Sequence, residues 1–262
     1  MEQNKQVKYD ESNIKTLSSL EHIRLRSGMY SGRLGDGSNP NDGIYILLKE
    51  VIDNSVDEFL IGVGKKIDTT IENNRVVVRD YGSGIPLGKV IDCVSIINTG
   101  GKYNDDVYQF SVGLNGVGTK AVNALSSEFL VRSHRDGKFV EAIFSRGKLI
   151  KEKKGSCEGV SDGTLIEFVP DSDIFGDYAF VDEFIEQRMW NYACLNKNLR
   201  LYYNKQKFES KRGLYDLLEA EVGDDIVYEI GYYSSDMMEF SFTHTGNYGE
   251  SHFSFVNGQF TS

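Results

Sequence analysis

The chain has 262 residues and a mass of 29.5 kDa, room for one large domain or two small ones. With 40% hydrophobic and 26% charged residues, 27 Gly and 3 Pro, its composition is that of a folded globular chain, not a disordered or collagenous one. Lys plus Arg is 29 against 39 for Asp plus Glu, a net charge of −10 that repels polyanions and excludes gripping DNA as this chain's main task. Three well-separated cysteines (Cys93, Cys157, Cys194) form neither a disulfide framework nor a zinc site, and the four histidines lack metal-ligand spacing. Residues 1–13 are polar and no window is long enough to span a bilayer, so the expectation is a cytoplasmic protein without a membrane partner.

The first strongly periodic segment is 44–61, IYILLKEVIDNSVDEFLI, an amphipathic helix of about five turns. At 100° per residue Tyr45, Leu48, Val51, Ile52, Ser55 and Phe59 share one face, while Glu50, Asp53, Asn54 and Asp57 form an opposite, entirely polar one. Residues 66–72 and 75–79 read as strands joined at Asn73-Asn74 in a hairpin. A helix follows at 89–98, then a long loop at 99–118 and a helix at 120–127; the loop exceeds what a simple connection needs. Between 129 and 169 the alternation predicts antiparallel strands, notably at 130–133, 139–144 and 164–169. Helices are expected at 180–195, with Phe180, Phe184, Ile185, Met189 and Tyr192 on its inner face, and at 213–222. Strands follow at 226–233, 238–244 and 252–256. The tail ends at Ser262 in an open connection, so the chain reads as a fragment.

Three constellations carry chemistry. Glu50, Asn54 and Asp57 at i, i+4 and i+7 align two carboxylates and a carboxamide on one helical face, a pattern that alone fits a solvated surface. Asp80-Tyr81-Gly82-Ser83-Gly84-Ile85-Pro86 then puts an acid at the end of a valine-rich strand, where the backbone turns sharply. An ionised Asp only accepts hydrogen bonds, which suits an exocyclic amine such as adenine N6. Finally Gly113-Leu114-Asn115-Gly116-Val117-Gly118-Thr119 runs straight into a helix, where unpaired N–H groups favour phosphate. Its G-x-x-G-x-G order and the Thr119-Lys120 that follows match neither a Walker A loop nor a dinucleotide fingerprint.

In this order, with Gly100-Gly101-Lys102 before the last, the three motifs resemble the ATPase superfamily of gyrase, heat-shock chaperones, sensor histidine kinases and MutL. Residues 9–20, Arg26-Ser27-Gly28-Met29-Tyr30, the run 50–58 and Thr99-Gly100-Gly101-Lys102 resemble, within it, the B subunits of bacterial type IIA topoisomerases. Residues 52–58 and 108–111 are closer to the topoisomerase IV branch than to gyrase. The resemblance implies an α/β fold: a two-layer sandwich of a mixed, mostly antiparallel sheet with helices on one face (the Bergerat-type ATP-binding fold), plus the first strands of a transducer domain. It divides the chain into an arm (1–20), an ATP-binding domain (21–224) and the transducer start (225–262).

It further implies ATP and Mg²⁺ as cofactors. Glu50 would be the general base, Asn54 a Mg²⁺ ligand, and Asp80 the adenine reader beside Asp57, Gly84, Ile85 and a water held by Thr164. Gly113, Leu114, Asn115, Gly116, Val117, Gly118 and Thr119 would wrap the phosphates, Lys102 and Tyr108 would lie on the lid, and Tyr9 would reach into a second subunit. The implied partners are a second B subunit, the A subunit of topoisomerase IV or gyrase, and DNA held by the rest of the enzyme. A chaperone-type or mismatch-repair clamp is the alternative. Departures from the family pattern are Ser27 for Pro, Val112 for Gly, Asn115 for His and, between the two glycines of the turn, Ser83 for Arg, which deprives Glu58 of an ion-pair partner. The chain also stops before the transducer lysine of the family, so binding is expected to survive and turnover to be poor.

Overall fold

Four hairpins build most of the sheet, and each turns through two consecutive left-handed residues: Asn73 and Asn74, Asp136 and Gly137, Arg146 and Gly147, and Asn204 and Lys205. Two left-handed residues twist a turn in the same sense as the strands it joins, which is why Asn, Asp and Gly gather there. The computed structural model describes residues 14, 16–101, 116–235, 237–256 and 258–261. Among them the strands are β1 (Lys66–Glu72), β2 (Arg75–Asp80), β3 (Ser126–Arg135), β4 (Lys138–Ser145), β5 (Lys148–Ser156), β6 (Gly163–Pro170), β7 (Arg200–Tyr203) and β8 (Gln206–Phe208). They form one sheet in the order β5-β4-β3-β6-β2-β1-β7-β8, antiparallel at every step except β1 against β7. The mixed, mostly antiparallel sheet is therefore present. β5 is exposed throughout, and Lys148, Lys151, Lys153 and Lys154 blunt that edge against further pairing.

The helices are α1 (Ser19–Leu25), α2 (Ser27–Ser31), α3 (Gly43–Leu60), α4 (Val90–Ser95), α5 (Gly118–Ala124), α6 (Ser172–Phe175), α7 (Asp182–Leu195) and α8 (Leu214–Val222). Leu47, Leu48, Val51 and Ile52 of α3 are buried with Val76 and Val78 of β2, Phe129 and Val131 of β3, and Ile166 and Phe168 of β6 in one core. Each such side chain contributes about 1.5–3 kcal/mol by leaving water. The other sheet face is polar and ion-paired: Arg75 bridges Glu128 at 2.6 Å and also binds Glu167, and Arg132 binds Glu141.

Beyond α8, β9 (Gly231–Ser234) pairs with β10 (Glu239–Phe242), and β11 (Ser254–Val256) with β12 (Gln259–Thr261). The Glu239 carboxylate takes the Leu214 amide at 2.7 Å, which ties the first of these ribbons to α8. No helix among the described residues is long and apolar enough to cross a membrane.

Several expected elements shift. The helix expected at 120–127 starts at Gly118 and ends at Ala124, because Ser126 already pairs with Pro170. The helix expected at 89–98 is one 3-10 turn (Leu87–Lys89) followed by α4. The tail strands are shorter than their periodicity suggests, and β7 and β8, which complete the sheet edge, had no counterpart among the expected elements.

Candidate functional site

Residues 50–58 of α3, the turn after β2, α4, the segments 99–101 and 116–120, and the ends of β3 and β6 enclose a cavity of about 640 Å³. It is lined by Glu50, Asn54 and Asp57, by Asp80, Gly84 and Ile85, by Gly116, Val117, Gly118 and Thr119, and by Thr164. These are all the candidate residues that fall among those described. Tyr9, Lys102, Tyr108, Gly113, Leu114 and Asn115 lie outside the described residues.

The polar face of α3 is not a solvated surface. Asp53 and Asp57 are 2% and 1% exposed. Asp53 is a structural acid: it accepts from the Tyr192 hydroxyl of α7 and pairs with Lys49, one turn back, at 2.6 Å. Glu50 sits against the start of α5. A Cβ on Gly118 would lie 1.8 Å from Glu50 Oε2, so only a residue without a side chain admits the carboxylate there. Asn54 donates from Nδ2 to the Glu50 carbonyl at 2.7 Å and to Thr119 Oγ1 at 2.9 Å, linking α3 to α5.

Asp80 ends β2 with 6% exposure. Its Oδ1 accepts from the Gly82 amide at 3.0 Å and the Thr164 amide at 2.9 Å, which leaves Oδ2 as its acceptor for a ligand. Burial pushes its carboxyl from the ordinary 3.8 up to about 6, against the downward pull of the two amides, while the Glu58 charge adds to the rise. The turn is held open by Gly84, whose φ of +71° favours glycine and whose absent Cβ would fall 2.5 Å from the His134 carbonyl. The Glu58 carboxylate, facing Ser83 where the family pattern has Arg, takes the Ser83 amide at 2.7 Å.

Three cavity-lining cations were not anticipated from the sequence: Lys49, already described with Asp53, and Lys120 and Arg135. Lys120 is 3% exposed and donates to the Thr99 carbonyl at 2.6 Å. Arg135 donates to the Gly84 carbonyl at 3.2 Å. Lys120 follows the glycine motif directly, and that adjacency was the available signal; nothing local distinguished Arg135. Gln259 of β12 also lines the cavity. Among the described residues no group of three or more His, Cys, Asp or Glu could hold a metal ion by itself. The donor set is instead a carboxamide and a carboxylate beside a helix start, which suits a hard cation brought in by an anionic ligand.

No protein-family model matches the chain. It is 64% identical to the B subunit of DNA topoisomerase 4 from Borreliella burgdorferi over 255 residues, 97% of this chain and 42% of that protein. It is 33% identical to the B subunit of DNA gyrase from Thermotoga maritima over 279 residues, 95% of this chain and 43% of that one. The chain thus spans less than half the length of these curated relatives. Among solved structures, the 43K ATPase domain of Thermus thermophilus gyrase B in complex with an aminocoumarin matches with a TM-score of 0.74 and 28% identity, over 93% of this chain and 67% of that one.

Proposed function

The chain belongs to the B subunits of type II topoisomerases and covers their ATPase region, and from that premise we propose that it binds and hydrolyses ATP in the cavity between α3, β2 and α5. The observation that carries this reading is the convergence of Glu50, Asn54, Asp80 and residues 116–119, which lie far apart in sequence, on one cavity.

In this reading adenine lies against Asp80, whose ionised carboxylate accepts from N6, with Thr164 holding both the carboxylate and a bridging water. The backbone N–H groups of 116–119 face the phosphates at the start of α5, joined by Gly113, Leu114 and Asn115, with Lys102 and Tyr108 over them. Glu50 takes the proton of the attacking water, a role worth typically 10²- to 10⁴-fold in rate. Asn54 would hold a Mg²⁺ ion that arrives with the nucleotide, and the ion would supply charge neutralisation there; a neutral amide oxygen suffices because the phosphates bring the negative charge.

For the whole protein we propose the ATP-driven gate of a cytoplasmic type IIA enzyme. Tyr9 enters the site of a second B subunit, closure is coupled to an A subunit, and DNA is held by other parts of the enzyme. The higher identity to a topoisomerase IV relative supports that branch over gyrase. Residues 1–20, 21–224 and 225–262 are then arm, ATP-binding domain and transducer start. The test is calorimetric titration with a non-hydrolysable ATP analogue and Mg²⁺ beside GTP, for the wild-type chain and Asp80→Asn. Binding of the ATP analogue but not of GTP, weakened by about 1–3 kcal/mol in the variant, is the expected result; equal affinity for GTP and ATP refutes the adenine assignment.

A further inference from the structure

Asn54 is held through two hydrogen bonds that both use Nδ2, one to the Glu50 carbonyl one turn back at 2.7 Å and one across to Thr119 Oγ1 at 2.9 Å. A backbone carbonyl can only accept, so the amide nitrogen must face it, and chemistry fixes which end of the carboxamide is which. The nitrogen carries two hydrogens and these two acceptors take both. A carboxamide meets a cation through its carbonyl oxygen and not through its nitrogen.

The two anchors are not equivalent. The Glu50 carbonyl lies on the same helix and fixes one point of the amide, which still leaves rotation about that bond. Thr119 lies on α5, immediately after the Gly116-Val117-Gly118 segment, and supplies the second point that fixes the plane. The same short stretch thus shapes the phosphate end of the cavity and sets the orientation of a side chain on the opposite wall. We infer that Thr119 is a positioning residue, whose hydroxyl orients the Asn54 carboxamide to present Oδ1 to the divalent cation that accompanies the nucleotide. This rests on the cavity being the nucleotide site. Partners that orient a metal ligand without touching the metal typically change metal affinity 10- to 100-fold when removed, and a single neutral hydrogen bond accounts for the lower end of that range.

Thr119→Val keeps the branched shape and removes the acceptor, whereas Thr119→Ser keeps the hydroxyl. The readout is the ratio of affinities for a non-hydrolysable ATP analogue in Mg²⁺ and in EDTA, measured by calorimetry on the whole chain. The ratio is expected to fall about five- to tenfold in Thr119→Val and to hold in Thr119→Ser. With Asn54 already replaced by Ala, the Val substitution is expected to change it no further. An unchanged ratio in Thr119→Val, a parallel loss in both media, a Ser variant that behaves like Val, or a further fall in the Asn54→Ala background each overturns the assignment. If the wild-type chain binds the analogue in neither medium, the nucleotide-site reading itself fails and takes this one with it.

Discussion

Asp80 joins two properties that pull in opposite directions, and pH separates them. Burial raises its carboxyl from 3.8 to about 6, and at about 1.36 kcal/mol per pH unit that is on the order of 3 kcal/mol charged to the empty protein for keeping the group ionised. The folded chain holds this proton more tightly than the unfolded chain does. The group's contribution to stability is therefore full below about pH 4 and is lost as pH rises through about 6. Adenine recognition runs the other way, because the ionised carboxylate is the stronger acceptor for N6, whereas protonation puts a donor O–H on the carboxyl. At pH 5 about one Asp80 in eleven is ionised, against about ten in eleven at pH 7, so acidification should cost about tenfold in affinity. Nucleotide phosphates titrate in the same range, so the informative quantity is the difference between wild type and Asp80→Asn, titrated with the same adenine nucleotide from pH 5 to 8. The variant should bind about 1–3 kcal/mol more weakly at pH 7, since its N–H₂ meets the adenine amine donor to donor. It should also lack the extra acid loss. Parallel profiles for the two proteins would refute the assignment.

Other perturbations test neighbouring parts of the site. Glu50→Ala in a full-length protein should bind ATP with near-normal affinity and lose hydrolysis by about 10²- to 10⁴-fold in a steady-state phosphate-release assay; wild-type turnover removes Glu50 from the chemistry. Gly118→Ala places a Cβ 1.8 Å from Glu50 Oε2, the mobile end of that side chain, so the carboxylate should move and the fold should hold. Turnover should then drop while thermal stability stays level or gains up to about 1 kcal/mol from helix propensity. A variant that unfolds instead contradicts this. Asp53→Ala strips the buried Tyr192 hydroxyl of its acceptor and should cost about 2–4 kcal/mol in denaturant unfolding, against about 1 kcal/mol for Tyr192→Phe. Ser83→Arg puts a cation on the cavity rim beside Glu58 and should tighten inhibitors that stack on an arginine there, which competition binding would read directly.

The fold was legible wherever one side of an element is dry. The apolar face of α3 and the inward residues of α7 follow from periodicity because burial is one-sided there, and Asn73-Asn74 marks its hairpin because two left-handed residues exclude most side chains. β7 and β8 were not legible: at four and three residues they are too short for alternation to register, and the pairing of β7 with β1, on which β8 then builds, is a contact across more than a hundred positions. The polar face of α3 was ambiguous by itself for a different reason. Acidic residues opposite an apolar stripe describe a solvated helix equally well, and only in the fold does that face meet Tyr192 of α7 at Asp53 and Thr119 of α5 at Asn54.

The same limit explains why Lys120 stayed hidden while its neighbours did not. In α5 every residue from Lys120 to Ala124 is buried, so the helix has no wet side against which a functional face could stand out. What the sequence does hold is a weaker signal, two polar residues inside an otherwise apolar, small-residue run. A buried polar group must find a partner, and both do so on the same neighbouring stretch: Lys120 on the Thr99 carbonyl at 2.6 Å and Asn123 on the Val94 carbonyl at 2.9 Å. With Thr119 and Asn54 bonded on the α3 side, this seven-residue helix is fixed to both walls of the cavity by its polar residues, while Ala121, Val122 and Ala124 sit in the core. Lys120→Met therefore removes the ammonium that holds Thr99, next to the start of the 100–102 glycine-lysine segment. It should raise amide hydrogen exchange at 99–101 in the ligand-free chain while leaving α3 protected, and unchanged exchange there would show that Lys120 does not restrain that segment.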